Sequence, residues 1–174
     1  MMEYSTGNLI ADSLALSIAY AERLTEGIPA ESFGSFARPG GQIVQSNHPA
    51  FVMGHLSLYA PSIMHDIGGD AIEVPEGFEG LFSKDAQCED DPGHTIYPPM
   101  DMIVDAYLRG YRQVEQELRQ TPDEILSKAN PTPGRLGELF PTLGSMHAFY
   151  VGGHSMIHLG QLSAWRRMMG MSPA

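Results

Sequence analysis

The sequence has very little cysteine: Cys88 is the single one among 174 residues. One thiol cannot form an intramolecular disulfide, which excludes the small secreted domains that depend on several disulfides. A lone cysteine is typical of proteins in a reducing compartment, so we expect a cytoplasmic protein.

Basic residues are also scarce. The chain has ten Lys and Arg against 21 Asp and Glu, which gives a formal net charge of −11. The one adjacent basic pair, Arg166 and Arg167, lies at the end of a predicted helix, where cations complement the helix dipole. An acidic chain without a basic patch repels phosphates, so we expect no nucleic-acid partner.

Long apolar runs are missing as well. The most apolar stretch, residues 9–21, contains Asp12, follows no basic segment and is too short to cross a bilayer. It predicts a buried helix rather than a signal peptide, and we expect no membrane partner. Apolar residues make up 43% of the chain and charged residues 18%, which is typical of a folded domain. The length fits one domain spanning residues 1–174.

The first two long helices are predicted from apolar residues at helical spacing. Helix one covers residues 6–25. Helix two starts at Pro49, with Ser46 or Asn47 as its cap, and stops at Gly68–Gly69. Pro61 lies inside it and predicts a kink or an early end.

The remaining chain predicts two more long helices. The third opens at Pro98–Pro99, and the fourth runs from a cap at Thr142 to Gly170. Between them, residues 121–124 read as a capping box that starts one short helix. Residues 68–97 have few periodic signals and predict a long loop. The expected fold class is therefore all-α: a four-helix bundle with one short extra helix and a long loop between helices two and three.

The seven histidines are distributed unevenly. Spacings of seven and four residues place three side chains on one face of each of two predicted helices. These are His147, His154 and His158 on the last helix, and His48, His55 and Tyr59 on the second. Each buried imidazole needs partners for its ring nitrogens, and a shared metal ion would supply several of them. Spacing alone leaves two interpretations open, a metal site and hydrogen-bonded core histidines.

Several established site types are excluded by particular residues. A zincin helix needs Glu after its first His, and Ser155 stands there. A ferritin-type site needs Glu three residues before His, but Val151 and Ser155 precede His154 and His158. The sequence also contains no nucleophile elbow, Walker loop or Rossmann glycine loop.

Two motifs carry a family resemblance. The tripeptide GHL at 54–56, preceded by Asn47 and Phe51, resembles the first ligand motif of the DinB/YfiT-like metalloenzymes, the DinB superfamily. Residues 154–161, HSMIHLGQ, match that family's closing H-x3-H-x-G-Q motif. The intervening loop and the opening of the third helix are similar too, so the resemblance runs from about residue 36 to the C-terminus. The family usually has Trp where Phe51 stands.

The resemblance implies a metal site with three histidine ligands: His55, His154 and His158. Such a site suits one divalent ion, zinc or nickel first and iron as an alternative. Asn47 and Gln161 are shared with the family pattern and are expected to support the ligands, whereas His48 and His147 are additions to it that could be extra ligands, proton relays or core residues. The full set of side chains expected to support the ligands or to add to them is His48, His147, Asn47, Tyr59 and Gln161.

The resemblance also implies a class of function. Members of the family include transferases and isomerases that use low-molecular-weight thiols. We therefore expect a metal-dependent enzyme that activates a thiol, or water, for transfer to a small electrophile. The alternative is a non-catalytic metal-binding or stress-response protein. The expected oligomer is a homodimer, which the many apolar residues of helix one also favour.

Overall fold

The computed structural model describes residues 4–174, and it is all-helical, as the sequence predicts. No strand forms within those residues. Two isolated antiparallel β-bridges are present, which pair Ala37 with Val44 and Ala129 with Thr142. The helices are α1 (Thr6–Thr25), α2 (Pro49–Ser57), α3 (Tyr59–Ile67), α4 (Phe78–Phe82), α5 (Met100–Leu118), α6 (Asp123–Leu126), α7 (Arg135–Leu139), α8 (Leu143–Ala148) and α9 (Ser155–Met168). A π-helical segment, Phe149–His154, joins α8 to α9.

Helix α1 has the predicted bounds. The Ser5 side chain caps it by accepting a hydrogen bond from the amide of Asn8. Gly7 lets α1 approach the end of α5, because a Cβ there would lie 2.0 Å from the carbonyl oxygen of Leu118. The buried face of α1 therefore packs closely on α5.

The predicted second helix is two helices that meet at Leu58. Pro61 has no N–H to donate to the carbonyl of Ser57, and its ring crowds that carbonyl, so the predicted early end falls there. The predicted cap is wrong. His48, not Ser46 or Asn47, precedes the first helical residue, and its Nδ1 accepts from the amide of Phe51 at 3.3 Å.

The segment 68–97 is more ordered than its composition predicts. It contains α4, whose Phe78 and Phe82 are fully buried. The Phe82 ring packs against Gly54, where a Cβ would lie 2.6 Å from the ring carbons. Farther along, the Asp91 carboxylate accepts from three successive backbone amides, at residues 95–97. The segment is thus fixed to α2 at one end and folded on itself at the other.

Helix α5 confirms the predicted apolar stripe, since Ile103, Tyr107, Tyr111, Val114 and Leu118 are all fully buried. It packs against α1, α2 and α3, while α9 packs against α1 and α2. Tyr107, Tyr111 and Trp165 are the largest side chains of the resulting core. No helix of the described residues is long and apolar enough to cross a membrane.

The predicted capping box of the short helix α6 does not form. The Thr121 hydroxyl donates to the carbonyl of Glu117 at 2.8 Å. This carbonyl is within reach because Thr121 is only three residues beyond the end of α5. The Asp123 carboxylate instead accepts from the amide of Thr6 at 3.0 Å and ties α6 to α1. Helix α7 was not among the predicted elements.

The last predicted helix starts as expected and then changes its winding. The Thr142 side chain accepts from the amide of Ser145, and the Ser145 side chain accepts in return, a reciprocal capping box. The π-helical segment then widens the helix at Gly152 and Gly153. One wide turn rotates the following residues by about 100° relative to those before it, the angle that one residue occupies in an α-helix. The heptad relation between His147 and the later histidines is lost.

Candidate metal centre

The structure brings together three of the seven histidines. His55 comes from α2, His154 from the end of the π-helical segment and His158 from α9. One ring nitrogen from each lies within 4.8 Å of the other two. The ring centroids are 4.7 Å apart for His55 and His158, and 5.5 Å apart for His55 and His154. These are the three histidines that the family motifs imply as ligands.

His55 is held by the backbone of α4. Its Nδ1 lies 2.8 Å from the carbonyl oxygen of Phe82, and a carbonyl can only accept, so Nδ1 carries the proton. The lone pair is therefore on Nε2, with the Tyr59 hydroxyl 3.3 Å away. Metal-binding histidines commonly have their outer nitrogen fixed in this way.

His158 is held in place by two amide side chains. Its Nδ1 lies 3.1 Å from Oε1 of Gln161, which also accepts from Nδ2 of Asn47 at 2.9 Å. Because this amide oxygen only accepts, Nδ1 of His158 is the protonated nitrogen and Nε2 has the lone pair. Asn47 and Gln161 thus lie just outside the three-histidine cluster, where they fix one ring.

His154 has no such support. Its Nδ1 is buried and has no hydrogen-bond partner among the described residues. The ring lies between aromatic side chains, 4.6 Å from the Tyr59 ring and 5.8 Å from the Tyr150 ring, centroid to centroid. A buried ring nitrogen without a partner costs free energy, and a metal ion beside it would remove that cost.

The pKa values of His154 and His158 are both shifted in the direction that favours the neutral imidazole. Burial, with the neighbouring His158 and His55, lowers the pKa of His154 to about 4. Burial also lowers the pKa of His158. Metal ligation requires the neutral ring, so His154 and His158 are in the ligand form at neutral pH.

His48 lies outside the cluster and has a structural role at the start of α2. It stands before α2 with extended backbone angles, so it does not share a helical face with His55 and Tyr59 as the spacing predicted. Its Nδ1 caps α2 and its Nε2 donates to the carbonyl of Glu89 at 2.9 Å. Both ring nitrogens are used by the protein.

His147 also lies apart, because the π-helical turn removes it from the face of His154 and His158. It is only 1% exposed, and its Nε2 is 3.3 Å from Oδ2 of Asp66 without the alignment of a hydrogen bond. The exposed His65 on α3 and His94 in the loop are outside the cluster too.

Two cavities of about 390 Å³ each adjoin the cluster. One is the mouth over the three histidines; the other, beside α3, shares His55, Tyr59, Ser83 and Lys84 with it. Cys88 lines the mouth, but burial raises the pKa of its thiol to about 11, so it stays protonated. A larger cavity, about 950 Å³, lies between α5 and the loop around Tyr97, away from the three-histidine cluster but with His94 in its wall.

Sequence reasoning did not identify three contributors to this region. The Phe82 carbonyl has no side-chain signal, since any residue supplies a carbonyl. Asp66 lies beside His147 of α8, and Tyr150 lies beside Tyr59 of α3, contacts between elements that sequence spacing does not predict. Asn47 and Gln161 were expected from the family pattern as supporting residues, and Gln161 contacts His158 while Asn47 contacts Gln161.

The donor set fits a divalent ion of borderline character. Three neutral imidazoles next to open space are the ligands of catalytic rather than structural zinc, and they also suit nickel and iron. The outer contacts of His55 and His158 leave the lone pair on Nε2 of each ring, and in His55 the Tyr59 hydroxyl lies 3.3 Å from that nitrogen. Among known proteins, no family model and no curated protein matches this chain.

Proposed function

We propose that the chain is a metal-dependent enzyme of the DinB/YfiT-like type, with one divalent ion held by His55, His154 and His158. The observation that carries the proposal is the convergence of these three ring nitrogens within 4.8 Å. Zinc and nickel are the first expectations for the ion, and iron is the alternative.

The proposal includes the four-helix bundle of that family. Its helices would be α1, the pair α2–α3, α5, and the stretch from α8 to α9. In support, α5 packs on both α1 and α2, and α9 packs on both as well. Ligands from two facing helices of a bundle are the usual way such proteins build a metal site.

The chemistry we propose is activation of a thiol, or of water, for transfer to a small electrophile. A divalent ion with open positions supplies this by lowering the pKa of the group it binds. Phe82 and Gln161 keep the ligand rings oriented. Burial raises the pKa of Tyr59, so its hydroxyl remains a hydrogen-bond donor at the edge of both cavities.

We also propose that the chain forms a homodimer through neighbouring surfaces of α1 and α9. Four apolar side chains of these helices are exposed: Leu9, Leu16, Met156 and Ile157. Because α1 and α9 pack on each other, a partner chain could cover these side chains together, as interfaces do with exposed apolar surface. We expect light scattering to give a dimer mass that becomes a monomer mass in Leu16→Asp. Ile43→Asp, at an exposed apolar position in the loop before α2, is the matched control.

The direct test is elemental analysis of protein purified without a histidine tag. We expect about one divalent ion per chain, since the three nitrogens form one group. A protein without bound metal, under conditions that supply zinc, nickel and iron, would contradict the proposal. Turnover of thiol and electrophile by the metal-loaded protein then separates an enzyme from a metal-binding protein that does no catalysis.

A further inference from the structure

The second cavity beside the cluster has a lining of its own. We name it the side pocket, with Tyr59, Asp66, Glu79, Lys84, His147 and Tyr150 in its wall. The rings of Tyr59 and Tyr150 have centroids 5.0 Å apart, and both contact the ring of His154. The side pocket therefore begins at the three-histidine cluster and extends away from it.

Charge in the side pocket is unbalanced. Lys84 is at the rim, where its ammonium group lies 2.7 Å from Asp85, a residue outside the wall. Glu79 forms no ion pair within residues 4–174. Asp66 forms no ion pair with Lys or Arg within residues 4–174, and the neighbouring ring of His147 is neutral, since burial lowers the pKa of that histidine. The wall thus has two carboxylates without a Lys or Arg partner, while its one ammonium group, on Lys84, is paired with Asp85.

His147 adds a second, independent observation. It is 1% exposed, it is part of the pocket wall, and neither ring nitrogen has a hydrogen-bond partner. Buried polar groups in folded proteins normally have partners, and exceptions are found at functional sites. Unused hydrogen-bonding capacity next to Asp66 indicates that a ligand completes this end of the pocket.

The combination of groups selects a particular ligand chemistry. Carboxylates bind an ammonium group through charge-assisted hydrogen bonds, and tyrosine faces attract the same group through the ring quadrupole. We infer that the side pocket binds a primary ammonium group, and that the substrate is a small amine whose other end reaches the three-histidine cluster. The pocket, about 390 Å³, is of a size for a small molecule. The link to substrate rests on the proposed function, but binding of the ammonium group does not.

Three probes of equal length test the ammonium site at neutral pH: n-hexylammonium, n-hexanol and n-hexanoate. Binding is followed by chemical-shift titration of the full-length chain, both metal-loaded and after treatment with a chelator. We expect hexylammonium to bind both forms about tenfold or more tightly than the alcohol, and hexanoate to bind more weakly still.

Variants locate the site. Asp66→Asn and Glu79→Gln should each weaken hexylammonium binding about fivefold or more, because each removes one carboxylate charge. Glu124→Gln is the matched control, since Glu124 is exposed and outside the pocket wall, and it should leave binding unchanged. Glu79 is exposed, so its replacement keeps the test valid if the Asp66 variant folds poorly.

The outcomes separate this inference from the proposed function. Equal binding of the three probes would overturn the inference, and so would binding that Glu124→Gln weakens as much as Glu79→Gln does. Hexylammonium binding that needs the metal and ignores Asp66→Asn and Glu79→Gln would mean ligation of the ion by the amine, which also overturns it. Preferential binding that survives chelation supports the ammonium site whatever the elemental analysis finds.

Discussion

The three clustered histidines differ in how the protein holds them. His55 and His158 each have an outer nitrogen fixed by an acceptor, whereas the Nδ1 of His154 is buried without one. A metal ion therefore changes the environment of His154 most. Without an ion, this ring is an unsatisfied polar group inside the protein, which costs about 1–3 kcal/mol.

Replacing His154 by Ala tests the residue directly. We expect most of the bound metal to be lost, because two imidazoles hold an ion more weakly than three. The melting temperature of the metal-loaded protein should fall with it, since a ligand that binds only the folded state stabilises that state. The measurements are metal content and thermal unfolding.

His65→Ala is the control for this change, because His65 is exposed and outside the cluster. If His154→Ala keeps its metal and melts like the control, the three histidines are core residues and the metal proposal is wrong. His147→Ala should also keep its metal, because His147 lies apart from the three ligands.

Gln161→Leu tests the outer support of one ligand. The change removes the acceptor shared by His158 and Asn47, so the imidazole ring is no longer fixed in one orientation. We expect metal affinity to fall by about 10–100-fold, the usual effect of losing such a partner. Competition with a chromogenic chelator measures the affinity. Gln113→Leu on the exposed face of α5 should leave the affinity unchanged.

At the scale of helices, the sequence predicted those whose ends have local signals. Ser5 and Thr142 cap α1 and α8, and Gly68 has the left-handed conformation that ends α3. The π-helical turn has no comparable signal. The π-helical turn depends on tertiary packing, which cannot be predicted from the spacing between His147 and His154. For the same reason the predicted common face of three histidines was wrong, while the closer pair His154 and His158 was correct.

The contact between α2 and α4 was also beyond prediction from sequence, because it depends on a backbone carbonyl and a glycine. Gly54 gives the ring of Phe82 its place, and the carbonyl of Phe82 then orients His55. This explains physically why glycine precedes histidine in GHL. The loop that composition marks as irregular therefore supplies part of the candidate site.

Gly54→Ala should damage both stability and metal binding. A Cβ would lie 2.6 Å from the Phe82 ring, so α4 has to move away and the carbonyl that orients His55 moves with it. We expect a loss of about 1–3 kcal/mol, typical of overpacking, with weaker metal affinity. Chemical unfolding and chelator competition measure the two effects. Gly80→Ala is the control, since a Cβ there meets nothing within 4 Å and alanine favours the helix.

For the whole molecule, His48 connects the start of α2 to the segment 68–97 and makes folding sensitive to acid. It is fully buried, caps α2 through Nδ1 and donates through Nε2 to Glu89. Burial lowers its pKa to about 4 from an ordinary value of 6.5. The folded protein thus holds this ring neutral at a pH where the unfolded chain protonates it.

The stability of the metal-free protein should therefore fall as the pH is lowered from 6.5 to 4. In that window the unfolded state binds a proton at residue 48 and the folded state does not, so acid favours unfolding. The contribution of His48 to the free energy of unfolding is about 3 kcal/mol, and above pH 6.5 it is fully present.

The variant His48→Asn keeps an N-cap acceptor but has no titrating ring, so its stability should depend less on pH. Its stability at neutral pH should be lower, because the contact with Glu89 is lost. Urea unfolding in chelator at several pH values measures the difference. His65→Asn, at an exposed position, should keep the pH dependence of the parent chain. Parallel curves for the parent and His48→Asn would show that His48 is not among the groups that acid titrates between pH 6.5 and 4; His154, whose pKa is also about 4, adds to the pH dependence of both proteins.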